Sequence, residues 1–123
     1  MTNRQHPTLA SCPPKPELRE RPLLTPEQTT GLAWVFKILA NDTRLRLLHA
    51  LVRAGELCVT DLATAVGMKA QAVSNQLQRL VDQGILKSRR DGNNIYYQIM
   101  DPCVVELLDR GLCLTEDAQE RKR

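Results

Sequence analysis

Apolar residues recur at helical spacing along two stretches in the first half of the chain. The segment LTPEQ places Thr25 before a proline and three positions ahead of a glutamine, an arrangement typical of a capped helix start. A second helix is predicted after Asn41 or Asp42 and ends at Gly55. The apolar stripes of the two helices are Leu32, Val35, Phe36 and Leu39, followed by Leu45, Leu48, Leu51 and Val52.

Two further helices follow with a tight turn between them. The pattern predicts a short helix over 60–67 and a longer one over 69–84, each closed by a glycine. The longer helix buries an apolar stripe and leaves polar, hydrogen-bonding side chains on its other faces. The predicted inward positions are Val73, Leu77, Leu80 and Val81.

The pattern then changes from helical spacing to alternation in ILKSRRDGNNIYYQI, where Asp91 and Gly92 predict the turn of a β-hairpin. Helical spacing returns in DPCVVELLDRGLC. Residues 1–24 are rich in proline and show no apolar period, which indicates a disordered arm. We therefore predict one folded domain over 25–116, with a charged, fraying tail over 117–123.

Four helices, a hairpin and a last helix predict a mainly α winged helix-turn-helix, in the order ααααββα. In such a fold the second helix of the pair enters the major groove, where amides and hydroxyls read bases and cations hold phosphates. The predicted base contacts are Gln71, Ser74, Asn75 and Gln78. Phosphate contacts are predicted for Lys69 and Arg79, and phosphate or minor-groove contacts for Lys87, Arg89 and Arg90.

Composition adds modest constraints to this interpretation. The net charge of +3 permits binding to nucleic acid without requiring it. No signal peptide or membrane span is recognisable, so we expect a cytoplasmic protein whose four cysteines are reduced thiols. No nucleophile with a base, phosphate-binding glycine loop or metalloprotease motif is present, which argues against an enzyme.

Three segments carry a resemblance to a known family: NDTRLRLL, ELCVTDLA and VSNQL. They resemble the ArsR/SmtB family of metal-responsive winged-helix repressors, and the similarity extends from about Leu32 to Glu116. The resemblance implies a homodimer built on the first and last helices, which binds a palindromic operator in double-stranded DNA and leaves it when an inducing ion binds. Family members often carry histidine at the position of Asn75, whose amide retains hydrogen-bonding capacity.

Cys103 and Cys113 are ten positions apart, which is roughly 15 Å along a helix and too far for a shared ion within one chain. Relatives that sense ions through the last helix carry Asp-x-His, then His-x-x-Glu or His. Asp101, Cys103, Cys113 and Glu116 follow that order with both histidines replaced and one residue fewer between them. The resemblance therefore implies an ion held by Cys103 of one subunit and Cys113 of the other, with Asp101 and Glu116 as auxiliary ligands.

Because thiolates replace the imidazoles of those relatives, we expect the site to prefer soft ions of the mercury, cadmium, zinc, lead and arsenite class. Trivalent arsenic would prefer a third thiolate, which Cys58 or Cys12 could supply. Cys58 matches the first cysteine of an E-L-C-x-C-D-L segment in related sensors, but Thr60 replaces the second. We interpret Cys58 as structural and keep a second site formed by Cys58 and Cys12 as the alternative.

Three other interpretations stay open. Cys103 and Cys113 are also compatible with plain packing of the last helix, because free cysteine is commonly buried. Oxidants or persulfides could instead crosslink the same pair between chains, making the protein a redox-responsive regulator of the same fold. A winged helix that binds another protein rather than DNA is the third.

Overall fold

The structure, a computed structural model, describes residue 12 and residues 14–122. Its helices are α1 (Pro26–Leu39), α2 (Asp42–Ala54), α3 (Val59–Val66), α4 (Ala70–Asp82) and α5 (Pro102–Arg121). Its strands are β1 (Leu57–Cys58), β2 (Leu86–Asp91) and β3 (Asn94–Ile99). This order matches the predicted succession of helices, hairpin and last helix, with β1 as an addition.

The helix ends form as their capping residues predict. Thr25 Oγ1 accepts from the backbone N–H of Gln28 at 3.1 Å, and Gln28 Oε1 accepts from that of Thr25 at 3.0 Å. Asn41, rather than Asp42, caps α2, because its Oδ1 accepts from the N–H of Arg44 at 3.0 Å. Gly55 ends α2 with φ 87°, a backbone conformation that disfavours residues with a Cβ.

The sheet has the order β1-β3-β2 and is antiparallel throughout. In the hairpin Leu86 lies opposite Ile99 and Asp91 lies opposite Asn94. Gly92 has φ 65°, which explains the glycine at the turn. Strand β1 was not predicted, because two residues are too few to show alternation.

One apolar core joins the helices to the sheet. The predicted stripe of α4 is buried at Val73, Leu77 and Leu80, all 0% exposed. On α2 the predicted stripe is buried at Leu48 and Leu51, whereas Leu45 and Val52 are more than a third exposed; Leu47, outside that stripe, is buried as well. The other members of the core are Leu39, Leu48, Leu51, Leu62, Ala63, Val66, Ile85, Leu86, Tyr97, Ile99 and Val104.

Two segments differ from the sequence-based expectation. Within the predicted arm, residues 1–11 and residue 13 lie outside the described residues, but a short 3-10 helix forms at Leu18–Glu20. At the other end α5 continues to Arg121, so the boundary expected after Glu116 falls inside a helix. None of the helices in the described ranges is long and apolar enough to cross a membrane.

An open apolar groove of about 580 Å³ lies between α1, α2 and α5. It collects the apolar side chains that the core leaves exposed, including Phe36, Leu45, Val52 and Leu112. Its full lining is Phe36, Leu39, Ala40, Leu45, His49, Val52, Val105, Leu107, Leu108, Asp109, Gly111, Leu112 and Thr115. His49 is therefore part of this surface.

Substitution of Leu77 by alanine tests the role of the α4 stripe. Because Leu77 is 0% exposed, Leu77→Ala should lower the free energy of unfolding by about 2–5 kcal/mol. The matched control is Leu23→Ala, since Leu23 is 95% exposed, and it should change stability by less than about 0.5 kcal/mol. Urea unfolding at one fixed protein concentration measures both, and equal losses would contradict the burial of Leu77.

Candidate DNA interface and thiol cluster

The α4 helix presents a polar face because its apolar stripe is turned into the core. Gln71, Asn75, Gln78 and Arg79 are exposed on it, and Ser74 is half-buried. All four predicted base contacts therefore lie on one helix whose orientation the core determines. Lys69, immediately before the helix, is exposed as well.

Neighbouring turns of α4 link these amides. Gln71 Nε2 donates to Asn75 Oδ1 at 3.1 Å, and Gln78 Nε2 donates to Asp82 Oδ1 at 2.9 Å. Each pair is spaced four residues apart, so the side chains are neighbours on the helix surface. The bonds limit the rotamers of both glutamines.

Two long-range hydrogen bonds connect α4 and Gln83, the residue that follows it, to the helices that precede it. Trp34 Nε1, on α1, donates to Gln83 Oε1 at 2.8 Å. Arg44 on α2 donates through Nε to Gln76 Oε1 at 2.8 Å and through Nη1 to the Ile38 carbonyl at 2.9 Å. Sequence reasoning missed these contacts, because no local pattern links residues so far apart in the chain.

The exposed cations of the wing are not equivalent. Lys87, Arg89 and Arg90 all lie on β2 and are exposed. Arg89, however, donates to both carboxylate oxygens of Glu56, from Nε at 2.8 Å and from Nη2 at 2.7 Å. Its guanidinium also lies 4.9 Å from the centroid of the Tyr96 ring.

The Glu56–Arg89 pair shifts the ionisation of both groups. Hydrogen bonding from Arg89 holds the pKa of Glu56 below its usual value, and the same bonding raises the pKa of Arg89. Both groups therefore stay charged and paired across the neutral range. Arg89 thus ties the wing to the β1 side of the sheet, a function the sequence did not predict for it.

The described cysteines divide into a bonded pair and two free residues. Cys12 and Cys103 form a disulfide, with Cα atoms 5.2 Å apart and 91 positions between them in sequence. Cys58 and Cys113 are free. This differs from the expectation of four free thiols, because Cys12 lies against the start of α5.

Asp101 completes a cluster at this end of α5. One ligand atom from each of Cys12, Asp101 and Cys103 lies within 4.8 Å of the others. Asp101 also caps the helix, since its Oδ1 accepts from the backbone N–H of Cys103 at 2.8 Å. Glu106 holds the arm, because its Oε2 accepts from the backbone N–H of Cys12 at 3.2 Å.

Cys113 and Glu116 do not join this cluster within one chain. Cys113 is exposed farther along α5, where its Sγ lies 3.8 Å from Asp117 Oδ2. Glu116 is exposed in the next turn. The expected pairing of Cys103 with Cys113 concerns two subunits and stays a prediction.

Cys58 is buried and contacts two polar side chains. It is 8% exposed, precedes α3, and its Sγ lies 3.3 Å from Thr60 Oγ1 and 3.4 Å from Asp61 Oδ2. Cys12 lies on Cys103 rather than on this residue. The arrangement agrees with a structural interpretation of Cys58, and it leaves the alternative Cys12–Cys58 site as a hypothesis about two subunits.

Comparison with known proteins gives consistent matches. The family model described as bacterial regulatory protein, arsR family, matches residues 41–88, which include α2, α3, α4 and the start of the wing. The crystal structure of an antimony-specific transcriptional repressor, AntR, has 61% sequence identity and a TM-score of 0.77 over 89% of this chain and 99% of that one.

Two other relatives extend the comparison. A transcriptional repressor SmtB homolog of Synechocystis sp. is 46% identical over 81 residues, which is 66% of this chain and 61% of that protein. A homodimeric winged helix-turn-helix DNA-binding domain of Mycobacterium bovis has 31% identity and a TM-score of 0.69 over 80% of this chain and 94% of that one. The winged helix-turn-helix prediction is thereby confirmed, and the family consists of DNA-binding transcriptional regulators rather than enzymes. The chain belongs to the ArsR/SmtB family of winged-helix transcriptional regulators.

Proposed function

We propose that the chain is a homodimeric repressor that holds operator DNA and releases it when a trivalent antimony or arsenic species binds its cysteines. The observation that carries this proposal is the meeting of Cys12 and Cys103 with Asp101 at the start of α5. The 61% identity to a repressor described as antimony-specific supports the choice of ion.

The polar face of α4 is the proposed reader of the operator. Gln71, Ser74, Asn75 and Gln78 contact base edges, while Lys69 and Arg79 hold the phosphates on either side. On the wing Lys87 and Arg90 bind the backbone directly. Arg89 contributes less, because Glu56 already occupies its guanidinium.

The apolar groove between α1, α2 and α5 is the proposed dimer surface. Phe36 and Leu112, each about half exposed or more, are large apolar side chains that a second copy would cover. A twofold dimer would present its two α4 helices to half-sites about one helical turn apart, which requires a palindromic operator.

The donor set suits a soft ion. In the reduced chain Cys12 and Cys103 offer two thiolates, which favour thiophilic metals and metalloids over hard ions. A trivalent ion prefers a third thiolate, and we assign it to Cys113 of the partner subunit. Asp101 and Glu116 are auxiliary ligands that would matter more for zinc or cadmium, since these ions also accept carboxylate oxygen.

Release of DNA requires that the ion bind the DNA-free arrangement more tightly. A tenfold loss of operator affinity corresponds to about 1.4 kcal/mol of coupling. The proposed lever is α5, which an ion that also binds Cys113 of the partner subunit would pull toward that subunit. Val104 of α5 belongs to the same core as Leu77 and Leu80 of α4. A shift of α5 is then transmitted to α4 through packed side chains.

The ion assignment is tested by titrating a fluorescent operator complex, reduced and anaerobic, with antimonite, arsenite, cadmium, zinc, lead and mercury. We expect antimonite or arsenite to weaken operator binding by at least about tenfold. Cys12→Ser and Cys103→Ser should each abolish this response, and Cys113→Ser should do the same if the partner subunit supplies the third thiolate.

Cys58→Ser is the matched control, because Cys58 is buried beside Asp61 and away from the cluster. It should release DNA as the wild type does. Release by zinc or cadmium alone would contradict the trivalent assignment, and a response that disappears only in Cys58→Ser would move the site to α3.

The two wing arginines provide a direct test of the DNA interface. Arg90→Ala should weaken binding to all sequences, because a phosphate contact is lost. The slope of log binding constant against log salt concentration should become shallower by about one. Arg89→Ala should have a smaller effect, since Glu56 competes for that guanidinium. Arg121→Ala, which removes a charge from the last turn of α5, is the control, and equal effects of all three would refute the assignment.

Base reading is tested by Gln71→Ala on a set of operators with single substitutions. Loss of one bidentate contact should remove about 1–3 kcal/mol of discrimination at one base pair and leave other positions unchanged. Anisotropy at constant salt measures this. A uniform loss at all positions would identify Gln71 as a phosphate contact. If the unmutated protein binds none of the DNA sequences, a protein-interaction module is favoured instead.

A further inference from the structure

We propose that Cys12 and Cys103 are also a reversible redox pair, and that their oxidation makes the repressor unable to respond to its inducer. The effect on induction rests on the proposed function. The disulfide itself does not, because it requires only the two cysteines of one chain.

One contact that does not involve sulfur holds Cys12 on α5, and another fixes the helix start that carries Cys103. The backbone N–H of Cys103 donates to Asp101, and that of Cys12 donates to Glu106. Glu106 follows Cys103 by three residues, so both lie on the same face of α5. The Cα separation of 5.2 Å falls within the range that a disulfide spans.

The other two cysteines lack such an arrangement in the described part of the chain. Cys58 is buried against Thr60 and Asp61, and the exposed Cys113 lies beside an aspartate rather than a thiol. Cys12 and Cys103 are each half-buried, which leaves them open to a small oxidant. Oxidation within one chain is therefore selective for this pair.

The reaction balances with hydrogen peroxide as the oxidant. One thiolate attacks a peroxide oxygen, forms a sulfenic acid and releases hydroxide, which takes up a proton to become water. The second thiolate attacks the sulfenic sulfur, the S–S bond forms, and hydroxide leaves and is protonated to the second water. The two sulfurs lose two electrons, and a dithiol reductant reverses the change by exchange.

The oxidised chain loses induction but keeps DNA binding. A disulfide offers no thiolate, so the ion loses both of the ligands that one chain supplies. The bond links the arm to α5 of the same chain and does not cross to the partner subunit. It therefore leaves the spacing of the two α4 helices unchanged and does not imitate the inducer.

The test oxidises the full-length protein with peroxide, removes the excess, and measures intact mass, free thiols and operator binding with and without antimonite. We expect the mass of a single chain, with no covalent link to a second one, to fall by two hydrogen atoms, and two of its four thiols to be lost. Operator affinity should stay within about twofold, and the antimonite response of about tenfold or more should disappear and return after reduction.

Variants separate this mechanism from others. Cys12→Ser and Cys103→Ser should not form the intrachain bond, whereas Cys58→Ser and Cys113→Ser should. Glu106→Ala should slow bond formation because Cys12 loses its acceptor, and Glu106→Gln, which keeps an acceptor oxygen, should restore the rate. A covalent dimer through Cys113, or an unchanged mass, would overturn the proposed pair.

The failure of one proposal can be told from that of the other. An oxidised protein that still responds fully to antimonite refutes the redox block but leaves the proposed function intact. A reduced protein that ignores every ion refutes the proposed function and the block together, and the disulfide is then decided by mass and thiol count alone.

Discussion

The burial of one apolar stripe of α4 is the interaction on which the rest of the structure depends. Val73, Leu77 and Leu80 recur at helical spacing and enter a core shared with α2, α3 and the hairpin. Because a helix is rigid, turning this stripe inward directs Gln71 and Asn75 outward. The same burial that stabilises the domain therefore orients the side chains proposed to contact DNA, and a shift in the core that tilts α4 moves all of them together.

The core also connects the proposed ion site at the start of α5 to α4, the helix proposed to contact DNA. Val104, one residue after Cys103, is 8% exposed and belongs to the core that holds α4. Polar contacts between Trp34 and Gln83 and between Arg44 and Gln76 restrain α4 from α1 and α2. An ion at the proposed site would therefore act through the core on α4, which contacts from α1 and α2 hold in place, so that small displacements are transmitted rather than absorbed.

Local chemistry made most elements predictable, whereas contacts between distant segments were not. The cap at Thr25, the stop at Gly55 and the turn at Gly92 each follow from a few adjacent residues, and all were found. The polar face of α4 followed from periodicity in the same way. The pairing of Arg89 with Glu56 and of Cys12 with Cys103 spans 33 and 91 positions, so it depends on the tertiary fold. The two-residue strand β1 was missed because its pairing with β3 is equally nonlocal.

The described cysteines differ in how closely they are tied to the core. Cys58 is 8% exposed and its Sγ lies 3.4 Å from Asp61 Oδ2, so a larger side chain at this position would disturb the packing. Cys12 lies on an arm and Cys103 at a helix start, half-buried and outside the central core. Substitutions at these two positions therefore cost little in packing. The proposed ion preference and redox response can therefore change while the α4 stripe, and with it the orientation of the side chains proposed to contact DNA, stays the same.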